Sequence, residues 1–174
     1  MSFVILPFSK VEGIKMIEVR SYLGSISVQR GSVFTLVEDY TEFVKNPRHI
    51  DGAIELTVDG NSLIGKEQWD LVDQLWVYIV NGIETVVNGE SYTSSFPDSP
   101  EKLSLKPTRT ANLIEMTVGD KTITHDLQEL GNALLDGAES CLKELDRIMK
   151  ISDLYQEELQ KINQVRTRLA EMSK

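Results

Sequence analysis

Apolar and polar residues change their spacing several times along this chain, and the changes mark its elements. Ile14 to Arg20 and Ser25 to Arg30 alternate apolar and polar positions, the period of half-buried strands. Between Ser32 and Asn46 the period lengthens, with Val33, Leu36/Val37, Tyr40 and Phe43/Val44 three or four apart. That spacing predicts a helix with Ser32 as its N-cap and Asn46-Pro47 as its stop. Ala53 to Val58 and Ser62 to Ile64 read as strands around Asp59-Gly60-Asn61, where Asp-Gly supplies the positive φ angles of a tight hairpin.

The segment Lys66 to Val87 fits two patterns. Trp69, Val72, Trp76, Ile79, Ile83 and Val86 recur at helical spacing, whereas Leu75 to Val80 followed by Asn81-Gly82 also fits a strand and a type I′ turn. The helical opening from Lys66 to Leu75 favours a helix, so apolar at its centre that it belongs against a sheet. Phe96-Pro97-Asp98-Ser99-Pro100 is a rigid turn, because each proline fixes its own φ and restrains the residue before it. Strand-like runs follow at Lys102 to Pro107, Ala111 to Val118 and Lys121 to Thr124, the last two joined by Gly119-Asp120.

From Asp126 the pattern is helical to the end, with Asp126 and Glu129 at capping-box spacing. Leu127, Leu130, Leu134, Ala138, Cys141, Leu145 and Ile148 form a stripe that Tyr155, Leu159, Ile162 and Leu169 continue. One helix from Leu127 to Met172 would be about 69 Å long, roughly twice the width of a domain this size. Either the chain folds back near Lys150-Ile151-Ser152-Asp153 or its end pairs with another chain. The predicted fold is therefore α+β: an antiparallel sheet of hairpins, a central apolar helix packed on it, and a C-terminal helical hairpin or extended helix. Residues 1–125 form the α+β part, and 126–174 a helical segment of the same compact unit.

Composition narrows the functions. The 174 residues carry 27 Asp and Glu against 18 Lys and Arg, a net charge of −9. A net anion is repelled by phosphates, which argues against nucleic acid as a partner. One cysteine allows no disulfide within the chain and builds none of the usual zinc sites rich in cysteine. The apolar run Phe3 to Leu6 stops at Pro7 with no preceding charge, so it reads as an edge strand or arm instead of a secretory signal. The longest uninterrupted apolar run, Leu75 to Val80, is six residues, far below a membrane span. The expected compartment is the cytoplasm, with no membrane association.

Few residues suggest chemistry. His49 and Asp51 stand two apart and would share a strand face, as half of a metal site or as a base with its orienting carboxylate. His125 lies where a strand meets a helix and would need a nucleophile beside it to act in catalysis. Cys141 falls on the apolar stripe and reads as a buried thiol. Trp69 and Trp76, seven apart on the predicted helix, read as core or as a stacking platform. Asp59-Gly60-Asn61-Ser62 is too short for a calcium loop, and no nucleophile elbow, phosphate loop or metalloprotease motif is present. No metal or cofactor is expected.

Charge is the most localised signal. Between Glu38 and Asp73 nine acids face three bases (Lys45, Arg48 and Lys66), net −6, whereas residues 127–174 carry nine acids and seven bases. Glu38, Asp39, Glu42, Asp51, Asp59, Asp70 and Asp73 are the candidate partner-binding residues, because an acidic surface steers a basic partner and raises its association rate.

The blocks Ile50-Asp-Gly-Ala-Ile-Glu-Leu56, Trp69-Asp-Leu-Val-Asp-Gln-Leu-Trp76 and Phe96-Pro-Asp-Ser-Pro100 resemble those of small bacterial α+β proteins. Some of these are similar to immunity proteins of polymorphic toxin systems. The resemblance covers roughly residues 50–105 and rests on patterning. It implies occlusion of a toxin's active surface, with no shared catalytic residues to carry over. The leading expectation is a non-catalytic protein-binding module of immunity or inhibitor type, engaging a basic partner such as a toxin domain. The alternatives are an oligomer, such as a homodimer, assembled by the C-terminal helices, and a small metal-dependent or histidine-dependent hydrolase using His49 and Asp51 or His125.

Overall fold

The computed structural model describes residues 16–27 and 31–172. Two antiparallel sheets and three helices make an α+β fold. The first sheet contains β1 (Ile17–Ser27), β2 (Gly31–Leu36), β3 (Asp51–Val58), β4 (Asn61–Ile64) and β5 (Asp70–Leu71), in the order β2-β1-β3-β4, with the short β5 also paired to β3. The second is a meander of β6 (Tyr92–Ser95), β7 (Lys102–Pro107), β8 (Leu113–Val118) and β9 (Lys121–Asp126). The helices are α1 (Val72–Val87), α2 (Leu127–Met149) and α3 (Gln156–Glu171).

Both predicted hairpins close as their turn residues require. Asp59 and Gly60 have φ of 50° and 81° between β3 and β4, and Gly119 has φ of 58° between β8 and β9. Central β3 buries Ile54, Leu56 and Val58 and leaves Glu55 and Thr57 partly in water, the alternation of a sheet with one wet face. Helix α1 lies on that sheet and on β6 and β7 of the other. Val72, Leu75, Trp76, Ile79, Val80, Ile83 and Val86 are all buried, as an apolar helix between two sheets requires. Trp76 is fully buried, and its indole Nε1 donates to Ser21 Oγ on β1 at 2.9 Å, so the large ring enters the core without an unsatisfied donor.

The tail folds back. Asp126 caps α2, its carboxylate accepting from Glu129 N at 2.9 Å. The helix ends at Lys150, in the left-handed conformation at φ 54°, and α3 returns antiparallel after a short turn. Ile162, Val165 and Leu169 of α3 are buried together with the stripe of α2. Arg166 reaches Asp136 and Glu139 of α2, both at 2.8 Å, and Lys161 reaches Asn81 of α1 at 2.9 Å. No helix among the described residues is long and apolar enough to cross a membrane.

The pattern misplaced four elements. The two expected strands near the N-terminus are one, β1, which runs through Gly24 beneath the Phe34 ring. Residues 14, 15 and 28–30 lie outside the described residues, as does the apolar run Phe3 to Leu6. The helix expected over Ser32 to Asn46 is instead β2, a 3-10 turn at Val37–Asp39 and irregular backbone up to Asp51. The β-branched and aromatic run Val33-Phe34-Thr35 pairs with Ser25, Gly24 and Leu23, and edge pairing on β1 satisfies its backbone. Val33 and Phe43, placed on the apolar stripe of that helix, are 56 % and 77 % exposed. Helix α1 starts at Val72, six residues later than predicted, because Asp70 and Leu71 bridge to Gly52 and Asp51 of β3. The fourth element, β6, is a polar Tyr-Thr-Ser-Ser strand that apolar alternation does not reveal.

Candidate functional site

The seven candidate acids do not form one face. Glu38 and Asp39, on the turn after β2, and Glu42, in the irregular stretch beyond it, are exposed. Asp51, half-buried, opens β3, and Asp59 follows its far end, about 26 Å away along an extended strand. Asp70 is only 2 % exposed. Asp73 is half-buried on α1 and accepts from the Tyr155 hydroxyl of the tail at 3.0 Å. Burial pushes the Asp73 carboxyl above the usual range, against the pull of the Gln74 backbone and the Tyr155 hydroxyl. Asp70 and Asp73 therefore leave the exposed acidic set, and Asp59 stands apart from it.

Two clefts adjoin Asp51. The first, about 340 Å³, lies where β1 runs on past the start of β3 and is walled by Tyr40, Glu42, Phe43, Lys45 and His49. His49 Nε2 sits 3.3 Å from Asp51 Oδ1, a partly exposed pair that joins the two residues singled out in the sequence. Among the described residues no group of three or more His, Cys, Asp or Glu side chains is placed to hold a metal ion.

The second cleft, about 400 Å³, opens between the Glu67–Leu71 segment of the first sheet and the Asp98–Glu101 turn of the second. Asp51, Glu67, Asp70, Asp98 and Glu101 line it, with Trp69, and among the described residues no Lys, Arg or His does. Trp69 lies before α1 and is 39 % exposed, so it does not share a helix face with the buried Trp76. Asp70 builds the cleft floor: its Oδ1 accepts from Leu71 N at 2.7 Å and Asp98 N at 2.9 Å, tying the two sheets together. An aspartate that captures nearby backbone donors competes with helix, which is why α1 begins only after it. Asp98 and Glu101 were not nominated by the sequence; only the rigid Phe96–Pro100 turn hinted that this segment is held in place.

The remaining singled-out residues are interior. His125 is 5 % exposed, with Nε2 3.7 Å from Asp59 Oδ2 and Nδ1 3.7 Å from Glu129 Oε2, both beyond hydrogen-bond distance. The partners nearest its ring nitrogens among the described residues are these carboxylates. Cys141 is fully buried, and that burial pushes its thiol up to about 12. Comparison with family models, with curated proteins and with solved structures gives no match.

Proposed function

We propose that this chain is a non-catalytic protein-binding module of immunity or inhibitor type, which occludes a basic partner with its acidic surface. The observation that carries the reading is the second cleft, where five carboxylates line one concavity with no cationic side chain among the described residues. Through Asp51 that cleft adjoins the first, which adds Glu42 and the exposed Phe43. An exposed aromatic beside polar groups is the composition of an interface anchor with its rim. Glu38, Asp39 and Glu42, in water, would set encounter rate and register, because exposed charges act mainly on association. Groups removed from water, such as Asp70, would act on dissociation.

Co-purification with the product of the adjacent gene at low and high salt tests the reading. A complex that weakens as ionic strength rises agrees with it. No complex at low salt, with both proteins folded, rejects it.

A further inference from the structure

Asp70 lines the second cleft yet is 2 % exposed, and its two oxygens are in unlike states. Oδ1 is engaged by the backbone of Leu71 and Asp98. Oδ2 is buried with no hydrogen-bond partner among the described residues. A carboxylate oxygen withdrawn from water and left without a donor is unfavourable, and native structures rarely keep one without a reason. The same cleft is lined by Asp51, Glu67, Asp98 and Glu101 and by the partly exposed Trp69. Only Glu67 and Asp51 have basic neighbours among the described residues, Lys121 at 3.8 Å and His49 at 3.3 Å.

We propose that this cleft is a pocket for an arginine side chain of the basic partner, with Asp70 as its buried acceptor and Trp69 as its stacking face. The proposal rests on the basic-partner reading and names the group that the partner presents. A guanidinium fits for three reasons. It is planar and stacks on an indole. It is weakly hydrated, so it approaches the buried Asp70 at lower desolvation cost than an ammonium. Its five donors serve Asp70, once its Oδ2 turns toward the cleft, and the rim carboxylates of Asp98 and Glu101 together, whereas an ammonium has three.

The chain has two tryptophans, so two indole N–H signals in a nitrogen-15 NMR spectrum separate the cleft from the core. N-acetyl-arginine methylamide is titrated into the full chain, with the lysine and citrulline analogues as controls. The Trp69 signal should move saturably with the arginine compound while the Trp76 signal stays still. The lysine analogue should bind about tenfold more weakly, and neutral citrulline should not bind. Asp70→Asn keeps an oxygen for the Leu71 and Asp98 amides, removes the charge and should abolish the shift. If that variant loses the Trp76 signal and so the fold, Trp69→Ala replaces it, with the Asp98 and Ser99 amides as reporters, and should weaken binding about tenfold.

A Trp69 signal unmoved by arginine, an equal response to citrulline, or undiminished binding in a folded Asp70→Asn or Trp69→Ala variant would overturn the proposal. The two readings fail separately. A silent arginine titration beside an intact salt-sensitive complex removes only the pocket. Arginine binding without any basic protein partner removes only the proposed function.

Discussion

The backbone amide of Asp98 donates to Asp70 Oδ1 at 2.9 Å across 28 residues, so a single buried carboxylate joins the turn of one sheet to the edge of the other. The same oxygen accepts from Leu71 N, immediately before α1. Removing it leaves two backbone donors short of a partner. Asp70→Ala should therefore lower stability by about 2–4 kcal/mol, and Asp70→Asn, which keeps the acceptor, by less. Urea unfolding of the two variants beside the parent checks the order. Equal losses would mean that the Oδ1 bonds do not hold the sheets together.

A second long-range bond has a pH signature. Burial raises the Asp73 carboxyl in the folded chain, so the folded state holds its proton more tightly than the unfolded state. Where the folded pKa lies above the unfolded one, rising pH through that window costs stability, and the full cost is present above the folded value. Asp73→Asn removes that titration. Its stability relative to the parent should rise as pH climbs from about 4 and level off above the folded pKa. Tyr155→Phe deletes the donor to Asp73 and should cost about 1.5–3 kcal/mol at neutral pH, less in acid. Unfolding curves from acid to neutral pH decide it, and a pH-independent difference would contradict the burial argument.

Cys141 is predicted to be inert. A thiol pushed up to about 12 and fully buried holds almost no thiolate at pH 8. Thiol reagents should label it only as fast as the chain unfolds, so labelling rate should track global stability as denaturant is added. Rapid labelling under native conditions would place the sulfur at the surface.

Gly137 tests how closely α2 sits on β1. A Cβ there would lie 2.6 Å from Val19 Cγ1 and 2.9 Å from Trp76 Cη2, a rigid ring in the core. Alanine adds about 1 kcal/mol of helix propensity, but overpacking of this kind costs about 1–3 kcal/mol. Gly137→Ala should be net destabilising in thermal unfolding. A gain would show that α2 can slide away from β1.

How much of this was legible follows from the range of each interaction. The hairpins at Asp59-Gly60 and Gly119-Asp120, the Asp126 cap and the stripe of the tail depend on near neighbours, and their residues announce them. The misread stretch Ser32 to Asn46 carries an apolar spacing compatible with helix, and only the waiting edge of β1 decides for a strand. The late start of α1 depends on Asp70 and Leu71 pairing with Gly52 and Asp51 of β3, a contact no local pattern encodes. The same holds for the site. Excess acid between Glu38 and Asp73 is visible in the sequence, but the pattern cannot tell that Asp70 turns inward or that Glu101 closes the cleft.

The central claim is that the acids near Asp51 receive a basic partner, and association kinetics test it most directly. The binding rate of the adjacent gene's product is measured for the parent chain and for a Glu38→Lys, Asp39→Lys, Glu42→Lys variant at low and at high salt. All three residues are exposed, so the variant is expected to fold as the parent does. At low salt the on-rate should fall by about tenfold or more, and the difference should shrink as salt screens the charges. On-rate and affinity both unmoved by the triple reversal at low salt would contradict an acidic docking surface on this side of the fold.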